Sequence, residues 1–587
     1  AGWVAVYRQY GEEFDGQEPA LTPAGFLGVA QIDQYGELLS VSQRINTKYP
    51  EGQVYPVTNT AQQVPLPTDD GTPFARYPSA GISSFQNRPT AIWNEYTDPT
   101  YGGGSSGGVP MVSFDILGLG TQSNFYSPRH LNTGCGILGA CDPPDLWNGN
   151  VQYIDGNDGL PRLFALYTSW DDALDYAKFQ IRSSTIANGI VVPVDAEFSQ
   201  QDSLDEDGYG DCLWLGCDDP VEGVQTTGTP DFYINNDGIG YMGMTAFSKN
   251  SEVEEPYLHS FFFRKTEDYG VNWTSTGGLK ESGYHYIPDA ELIELTDSLL
   301  NMWSLNPEKY SDKPWYPWAE CTNEDGSTYS CGDTISYSDD SSNFFWTPAQ
   351  FFDYNYDILT DAQGGLHFVV TNIPWLCKDV DNGCDDNGGG GVNGNTPDGI
   401  ADSIYWEDRY GGVGYIHFYN ADPIGNPRGW RATFLEDITD ARNVDWDLLP
   451  VDDPMTLYTD PRWFFVPNIR ASYEDGSEVL WFAHASVSQA EYGIVDTNAF
   501  LPTDLDIFMA KSTDNGHHWS VPENVTNSSV EGENPPAVEY GVHLANIGTD
   551  NEIGVFYQTP NLDVCTYPVT PGGEYGEGYY DYVNYVN

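Results

Sequence analysis

The sequence predicts an all-β protein, a six- or seven-bladed β-propeller of four-stranded antiparallel blades with long loop insertions. Three observations predict it. Short runs of Val, Ile, Phe, Tyr and Trp recur from end to end, separated by Gly, Asp, Asn and Pro. Trp3-Val4-Ala5-Val6-Tyr7, Leu163-Phe164-Ala165-Leu166-Tyr167 and Ser260-Phe261-Phe262-Phe263 are examples. Such runs between turn residues read as strands. An Asp- or Gly-bearing turn ahead of an apolar strand returns at Asp158-Gly159, Asp237-Gly238, Asp361 to Gly365, Asp475-Gly476 and Asp550-Asn551. Repetition on this scale marks a repeat architecture. Helical periodicity is scarce: Asp289 to Trp303 carries one apolar stripe, and Asp171 to Ile181 a weaker one. Radial repetition protects sheet edges. A two-sheet sandwich explains the alternation but not a repeat of this length.

The units follow in order. Residues 3–46 read as three strands of a blade whose innermost strand is missing. Complete units are expected near 74–130, 148–195, 230–276, 346–436 and 464–526, and the stretch 540–587 ends the series. The whole chain, 1–587, is then one domain with insertions at 199–229, 277–345 and 377–402. The Tyr-rich tail at 560–587 is expected to pair with the N-terminal strands or with a neighbouring subunit.

Composition bounds the function. Against 23 Lys and Arg stand 87 Asp and Glu, a formal net charge of −64. That excludes nucleic acid as a partner, which requires a basic footprint, and anionic membrane surfaces repel such a chain. No apolar run reaches the roughly 18 residues of a membrane span. A hydrophobic fraction of 40% is enough for a packed core, so the acidity does not mean disorder. The acidic surface also suits a protein kept soluble in high salt without any specific partner.

Two segments sharpen the repeat. Thr266-Glu267-Asp268-Tyr269-Gly270-Val271-Asn272-Trp273 and Ser512-Thr513-Asp514-Asn515-Gly516-His517-His518-Trp519 both fit Ser/Thr-x-Asp-x-Gly-x-x-Trp. The hydroxyl and carboxylate can cap backbone amides of a tight turn, Gly supplies a positive φ, and Trp packs the hairpin against its surroundings. This pattern resembles the Asp-box (BNR repeat) of sialidase-like β-propellers. The resemblance implies structural roles for Thr266, Asp268, Gly270, Trp273, Ser512, Asp514, Gly516 and Trp519. It does not imply an activity. Sialidases also need an arginine triad that usually begins in Arg-Ile-Pro. The nearest matches here are Arg44-Ile45-Asn46 and Arg88-Pro89.

Cysteines point to an oxidising compartment. Cys135/Cys141, Cys212/Cys217, Cys321/Cys331 and Cys377/Cys384 form close pairs around short loops, as local disulfides do, and Cys565 is left over. The chain starts Ala1-Gly2-Trp3, which fits a mature secreted form. Two acidic loops are candidate calcium sites: Asp205, Asp207 and Asp211 in the first, and Asp379, Asp381, Asp385, Asn395, Asp398 and Asp402 in the second. Alternating Asp/Asn with Gly gathers the six to eight oxygens that Ca²⁺ takes. The second loop resembles those of thrombospondin type 3 and dockerin-like repeats, although Thr396 and Pro397 stand where another Asp is expected.

Enzyme signatures are absent: no His-Glu-x-x-His, no Gly-x-Ser-x-Gly and no phosphate loop. The leading expectation is a non-enzymatic, calcium-stabilised extracellular structural or cell-surface protein, with no catalytic residue. It would self-assemble into a filament or layer by exchange of terminal strands, or bind cell-surface glycans or proteins. The alternatives are a carbohydrate-active enzyme using acid pairs in a central funnel, and a glycan-binding adhesin whose aromatics form stacking platforms.

Overall fold

The computed structural model describes residues 2–10, 25–33, 37–39, 43–46, 55–56, 63–64, 75–82, 89–96, 108–115, 125, 129–130, 145–158, 161–171, 176–187, 190–196, 224–226, 231–248, 259–278, 283–288, 291–292, 295, 320–322, 328–330, 345–346, 351–373, 376–377, 414–437, 466–474, 477–487, 505–527, 539–560 and 581–586. The protein is all-β, and its main sheets are antiparallel meanders met in chain order. Sheet I joins Gly2–Tyr10, Gly25–Asp33 and Gln43–Arg44. Sheet II joins Ala75–Ile82, Pro89–Tyr96, Gly108–Phe114 and Arg129–His130. Sheet III joins Asp145–Asp155, Pro161–Asp171, Tyr176–Ala187 and Ile190–Ala196. In sheet IV the first position is filled by two pieces, Val224–Thr226 and Asp231–Ile234, both paired to Gly240–Ser248; His259–Thr266 and His285–Tyr286 follow. Sheet V holds Phe351–Thr360, Leu366–Ile373, Gly414–Asn420 and Arg431–Asp437. Sheet VI holds Asn468–Glu474, Ser477–Val487, Leu505–Ser512 and Glu523–Asn524. Sheet VII holds Tyr540–Gly548, Ile553–Pro560 and, from the Tyr-rich tail, Asp581–Val586.

Core clusters lie between consecutive sheets, because successive strand residues point to opposite faces. The run Phe261-Phe262-Phe263 shows it within one strand. Phe262 packs with Phe164 and Leu166 of sheet III, whereas Phe261 and Phe263 pack with Phe368 and Phe418 of sheet V. Phe261 and Phe368 stack with ring centroids 4.3 Å apart. A strand buried on both faces reads as a continuous apolar run, which is why the alternation is invisible there. Leu27 and Val29 of sheet I share a cluster with Ala75, Ala91 and Trp93 of sheet II, and Ala483 and Ile507 of sheet VI share one with Leu544 and Val555 of sheet VII. Phe556 of sheet VII packs against Ala5, Ala30 and Ile32 of sheet I, so the last sheet touches the first.

Polar ties join neighbouring sheets where the cores end. The Gln152 amide of sheet III donates to the Ile234 carbonyl at 2.7 Å and accepts from the Ile234 N–H at 2.8 Å, imitating a strand partner. Thr360 of sheet V donates to the Tyr233 carbonyl of sheet IV at 2.9 Å, and Asn235 to the Asp361 carbonyl at 2.7 Å. Asn468 of sheet VI accepts from the Leu544 N–H of sheet VII at 2.8 Å. Side-chain amides and hydroxyls thus satisfy backbone groups that a sheet edge would leave unpaired.

The repeated turns stand where the repeat requires. Asp158, Asp237, Asp361 and Asp550 lie between the first and second strands of sheets III, IV, V and VII, and Asp475-Gly476 bridges the same step in sheet VI, outside the described residues. From sheet III onward the first-to-second and third-to-fourth connections gather at one rim: Asn157 N–H donates to the Asn236 carbonyl at 2.8 Å, and Asn515 reaches Asp361 at 3.0 Å. The other connections, including 197–223, 374–413 and 438–467, leave from the opposite ends of the strands.

Two expectations are corrected. Asp171 to Ile181 is not helical: Pro161–Asp171 and Tyr176–Ala187 are paired strands. In that stretch Ala177, Phe179 and Ile181 alternate with Tyr176, Lys178 and Gln180, a period of two that wins over the apolar stripe. Sheet I does not lack its innermost strand, since Gly2–Tyr10 lies against Ala75–Ile82 as other first strands lie against one another. The stripe starting at Asp289 is helical at Glu291, Leu292 and Leu295, and Leu292 joins the core between sheets IV and V.

Candidate functional site

The two Ser/Thr-x-Asp-x-Gly-x-x-Trp turns share one geometry. Thr266 Oγ1 accepts from the Gly270 N–H at 2.9 Å and donates to Asp268 Oδ1 at 3.0 Å. Ser512 Oγ accepts from the Gly516 N–H at 2.9 Å and donates to Asp514 Oδ1 at 2.9 Å. Asp268 and Asp514 each accept one backbone N–H, from Asn272 at 2.8 Å and from His518 at 2.9 Å, and their Oδ2 atoms meet the side chains of the same two residues. The residues before the glycines, Tyr269 and Asn515, both sit at φ 61°, and Gly270 and Gly516 at 73° and 76°. Partial burial raises the Asp514 carboxyl, but hydrogen bonds from His518 and Ser512 outweigh it and hold the group at about 2.

Each turn leans on the sheet before it, through the residue at positive φ. The Tyr269 ring lies 3.7 Å under the Arg162 guanidinium of sheet III, and its hydroxyl donates to the Asn236 carbonyl at 3.0 Å. Asn515 reaches into sheet V, where its amide donates to Asp361 Oδ2 at 3.0 Å and to the Tyr419 hydroxyl at 2.7 Å. There it meets the densest set of buried titratable groups. Asp361 Oδ1 caps its own turn, accepting from Gln363 and Gly365 N–H at 2.9 and 2.7 Å. Oδ2 accepts from Tyr419 at 3.1 Å and lies 3.4 Å from His367 Nε2. His367 Nδ1 is 2.9 Å from His417 Nε2, and Trp519 Nε1 donates to His417 Nδ1 at 3.4 Å. Arg431 covers the Tyr419 ring at 4.6 Å and touches His517. Burial raises the Asp361 carboxyl, yet His367 and Asn515 pull it well below the carboxylate range. Burial pushes both imidazoles below their ordinary value. His367 and His417 are 0% and 1% exposed, so this set is closed to a substrate.

A second cluster forms where the first strands of sheets IV, V and VI meet. Asp357 Oδ2 accepts from Arg470 Nη1 at 2.6 Å and from the Ile469 N–H at 2.7 Å; Oδ1 accepts from the Ile358 N–H at 3.0 Å. Asp231 of sheet IV shares a hydrogen bond with it. Burial pushes Asp357 up, Arg470 pulls it down and Asp231 pushes it up again, leaving it at about 7. Two carboxyls this close disfavour each other's ionisation. Perturbed pairs of this kind occur at functional sites, and also in structural networks. Asp357 is 5% exposed, and its oxygens are already filled by Arg470 and Ile469 of sheet VI and by the neighbouring Ile358 N–H. Asp231 is the half-buried member.

The structure brings the eight turn residues read from sequence into two matching constellations, and Trp273 and Trp519 pack inward as expected. The candidate calcium ligands Asp205, Asp207, Asp211, Asp379, Asp381, Asp385, Asn395, Asp398 and Asp402 lie outside the described residues. Among the described residues, no group of three or more His, Cys, Asp or Glu could hold a metal ion.

Cys135 and Cys141 both lie outside the described residues, as do Cys212 and Cys217, and so does the leftover Cys565. Of the other two pairs one member each is described: Cys321 stands opposite Tyr329 in a hairpin and Cys377 opposite Phe345, whereas Cys331 and Cys384 lie outside. None of the four pairs is therefore a disulfide between described residues.

The Asp361–His367–His417 and Asp231–Asp357–Arg470 sets escaped sequence reading. Their members are far apart in the chain, and single His or Asp residues carry no motif. The available signal was spacing: His367 and Val369 share one strand face, and so do His417 and Tyr419 on the paired strand. Among the residues whose burial is described, the exposed large hydrophobics are Leu38, Leu39, Val271 and Val521. No helix among these residues is long and apolar enough to cross a membrane.

No family model matches the sequence, and no curated protein does. Solved structures with a similar arrangement include the polysaccharide lyase Uly1, at 10% identity and a TM-score of 0.41, covering 100% of this chain and 88% of that one. The Hadza microbial sialidase Hz136 is similar at 10% identity and 0.34, covering 91% and 70%. A Trypanosoma rangeli sialidase in complex with sialic acid is similar at 9% and 0.34, covering 89% and 58%. At this level of likeness none of them transfers an activity.

Proposed function

We propose that the protein is a non-enzymatic, extracellular β-propeller of the Asp-box kind, a rigid ring of seven blades that displays its inserted segments from one rim. Those segments are ordered by calcium and by local disulfides. They make contacts to further copies of the chain in a filament or layer, or to cell-surface glycans and proteins. The observation that carries this reading is the sorting of connections. One rim is closed by short turns whose polar groups are satisfied within the turns and by neighbouring sheets. Both acidic candidate segments belong to connections that leave from the other ends of the strands. Short self-satisfied turns on one side and long acidic ones on the other fit a scaffold with a binding face. The saturation of Asp357 by Arg470 and Ile469 also favours a structural role for the most perturbed carboxyl.

Calcium is the first test. Unfolding should be followed with chelator and with excess Ca²⁺. At a free concentration 100 times Kd, binding to the folded state stabilises by about 2.7 kcal/mol. We expect a higher unfolding midpoint in calcium, reversed by chelator, and lost when Asp381 and Asp385 are changed to Asn. A midpoint indifferent to calcium removes the ion from the account.

A carbohydrate-active enzyme is the second reading, favoured by the closeness of the Asp231 and Asp357 carboxyls, with Asp357 raised by burial and by Asp231. Glycan turnover that disappears in a folded Asp231→Asn protein would decide for it.

A further inference from the structure

We infer that the chain from Trp519 through His417 and His367 to Asp361 is an acid-sensitive clasp between sheets VI and V, which holds the Ser512–Trp519 turn at neutral pH and lets it go in acid.

The argument starts from hydrogen-bond direction. Indole N–H only donates and carboxylate only accepts. Trp519 Nε1 therefore donates to His417 Nδ1, at 3.4 Å. His417 then carries its proton on Nε2 and donates to His367 Nδ1, at 2.9 Å. His367 carries its own on Nε2, facing Asp361 Oδ2 at 3.4 Å. The two hydrogen bonds, Trp519 to His417 and His417 to His367, point one way and keep that direction only when both imidazoles are neutral; His367 Nε2 faces Asp361 without completing a hydrogen bond. A proton added to His417 Nδ1 would face the Trp519 N–H, and one added to His367 Nδ1 would face the His417 N–H. Either places donor against donor in a site without water access, where an unmatched polar group is costly.

The charged and titratable groups around the chain do not relieve this. On sheet V, Asp361 faces His367 but already accepts from Tyr419 and Asn515, and Arg431 lies over Tyr419 with a like charge for any imidazolium. On the turn, Asp514 is engaged outward with His518, and His517 touches Arg431. Packing makes the effect local: the His417 ring stands against Trp519 at 5.2 Å and against the backbone of Gly516. An imidazolium there displaces the turn rather than rotating away.

The sign follows from linkage. Both imidazoles have folded-state affinities below the ordinary 6.5. The unfolded chain therefore binds more protons, and stability is present above pH 6.5 and lost progressively as pH falls below it. Asp361, depressed from 3.8, adds its own loss only below that value. The window of the clasp is thus about pH 6.5 to 4, above the range in which Asp361 adds its loss.

Hydrogen exchange of the full chain, corrected for intrinsic rates, tests it at pH 7.5 and 4.5. Protection of residues 505–527 should fall at least tenfold, while that of sheet III strands 145–171 changes less than threefold. His417→Gln, whose amide donates and accepts in the same directions but takes no proton, should keep 505–527 protected at both values. An equal fall in sheet III, no fall in 505–527, or the same fall in His417→Gln overturns the clasp. If His417→Gln does not fold, nuclear magnetic resonance titration of the wild-type imidazoles replaces it. Loss of protection without protonation of His367 or His417 overturns the clasp equally.

Discussion

Gly516→Ala is expected to cost far more stability than Gly270→Ala, although the two glycines occupy the same place in equivalent turns. Both sit at positive φ, 76° and 73°, where a side chain costs about 1–2 kcal/mol. Their surroundings differ. A Cβ on Gly270 would meet Phe164 at 3.3 Å, a tight but tolerable contact with a ring edge. A Cβ on Gly516 would stand 2.2 Å from His417 Cε1, and His417 is held on two sides by His367 and Trp519. The ring cannot withdraw without breaking the clasp, so the loss should reach about 4 kcal/mol, a backbone penalty plus overpacking of a rigid site. Urea unfolding of the two variants measures it. Equal losses would mean that His417 yields freely, and that the packing under the turn at Ser512–Trp519 is not as tight as the geometry makes it.

Arg470→Met is expected to lower the unfolding free energy by about 3 kcal/mol at neutral pH, the lower end for breaking a buried pair. The low end applies because Asp357 already sits at about 7 and can escape an uncompensated charge by keeping its proton. The pH profile gives the check. For a carboxyl whose folded value is raised, the stabilising contribution is present at low pH and is lost as pH rises through that value. Removing Arg470 raises the value further, so the deficit of the variant should grow from pH 6 to pH 9. Asp357→Asn, which keeps an acceptor for the Ile469 N–H and has no carboxyl to titrate, should show a deficit that shrinks across the same range, because only wild type loses stability as Asp357 ionises. A deficit in Arg470→Met independent of pH would assign Arg470 a packing role through its aliphatic stem and not a charge role.

The unit boundaries were legible in the sequence because each turn carries its own chemistry. Asp361 or Asp237 with a nearby Gly specifies a tight hairpin without help from the rest of the chain, and the strands on either side follow from apolar runs. The split first strand of sheet IV was not legible, since Val224–Thr226 and Asp231–Ile234 are joined into one position only by their common pairing with Gly240–Ser248. The helical reading of Asp171 to Ile181 failed because the alternation of Phe179 and Ile181 with Lys178 and Gln180 fits a strand once a partner is supplied. The candidate site divides in the same way. The turn residues Thr266 to Trp273 and Ser512 to Trp519 act within a few residues of one another, so their spacing exposes them. Asp361, His367, His417, Asn515 and Trp519 act only after two sheets have packed, and so do Asp231, Asp357 and Arg470. No local pattern announces a set whose members are brought together by tertiary structure.

The contact of Phe556 with Ala5, Ala30 and Ile32 is where the ring account is most exposed. Cysteines placed at Ala5 and Phe556, joined by a short thiol-reactive bridge and mapped by mass spectrometry in the monomer fraction, test it directly. The account predicts a bridge within one molecule, in protein that unfolds at the same midpoint as the single-cysteine controls. Bridges found only between molecules, or none in folded monomer, would mean that sheets VII and I do not meet and that the sheets form no ring.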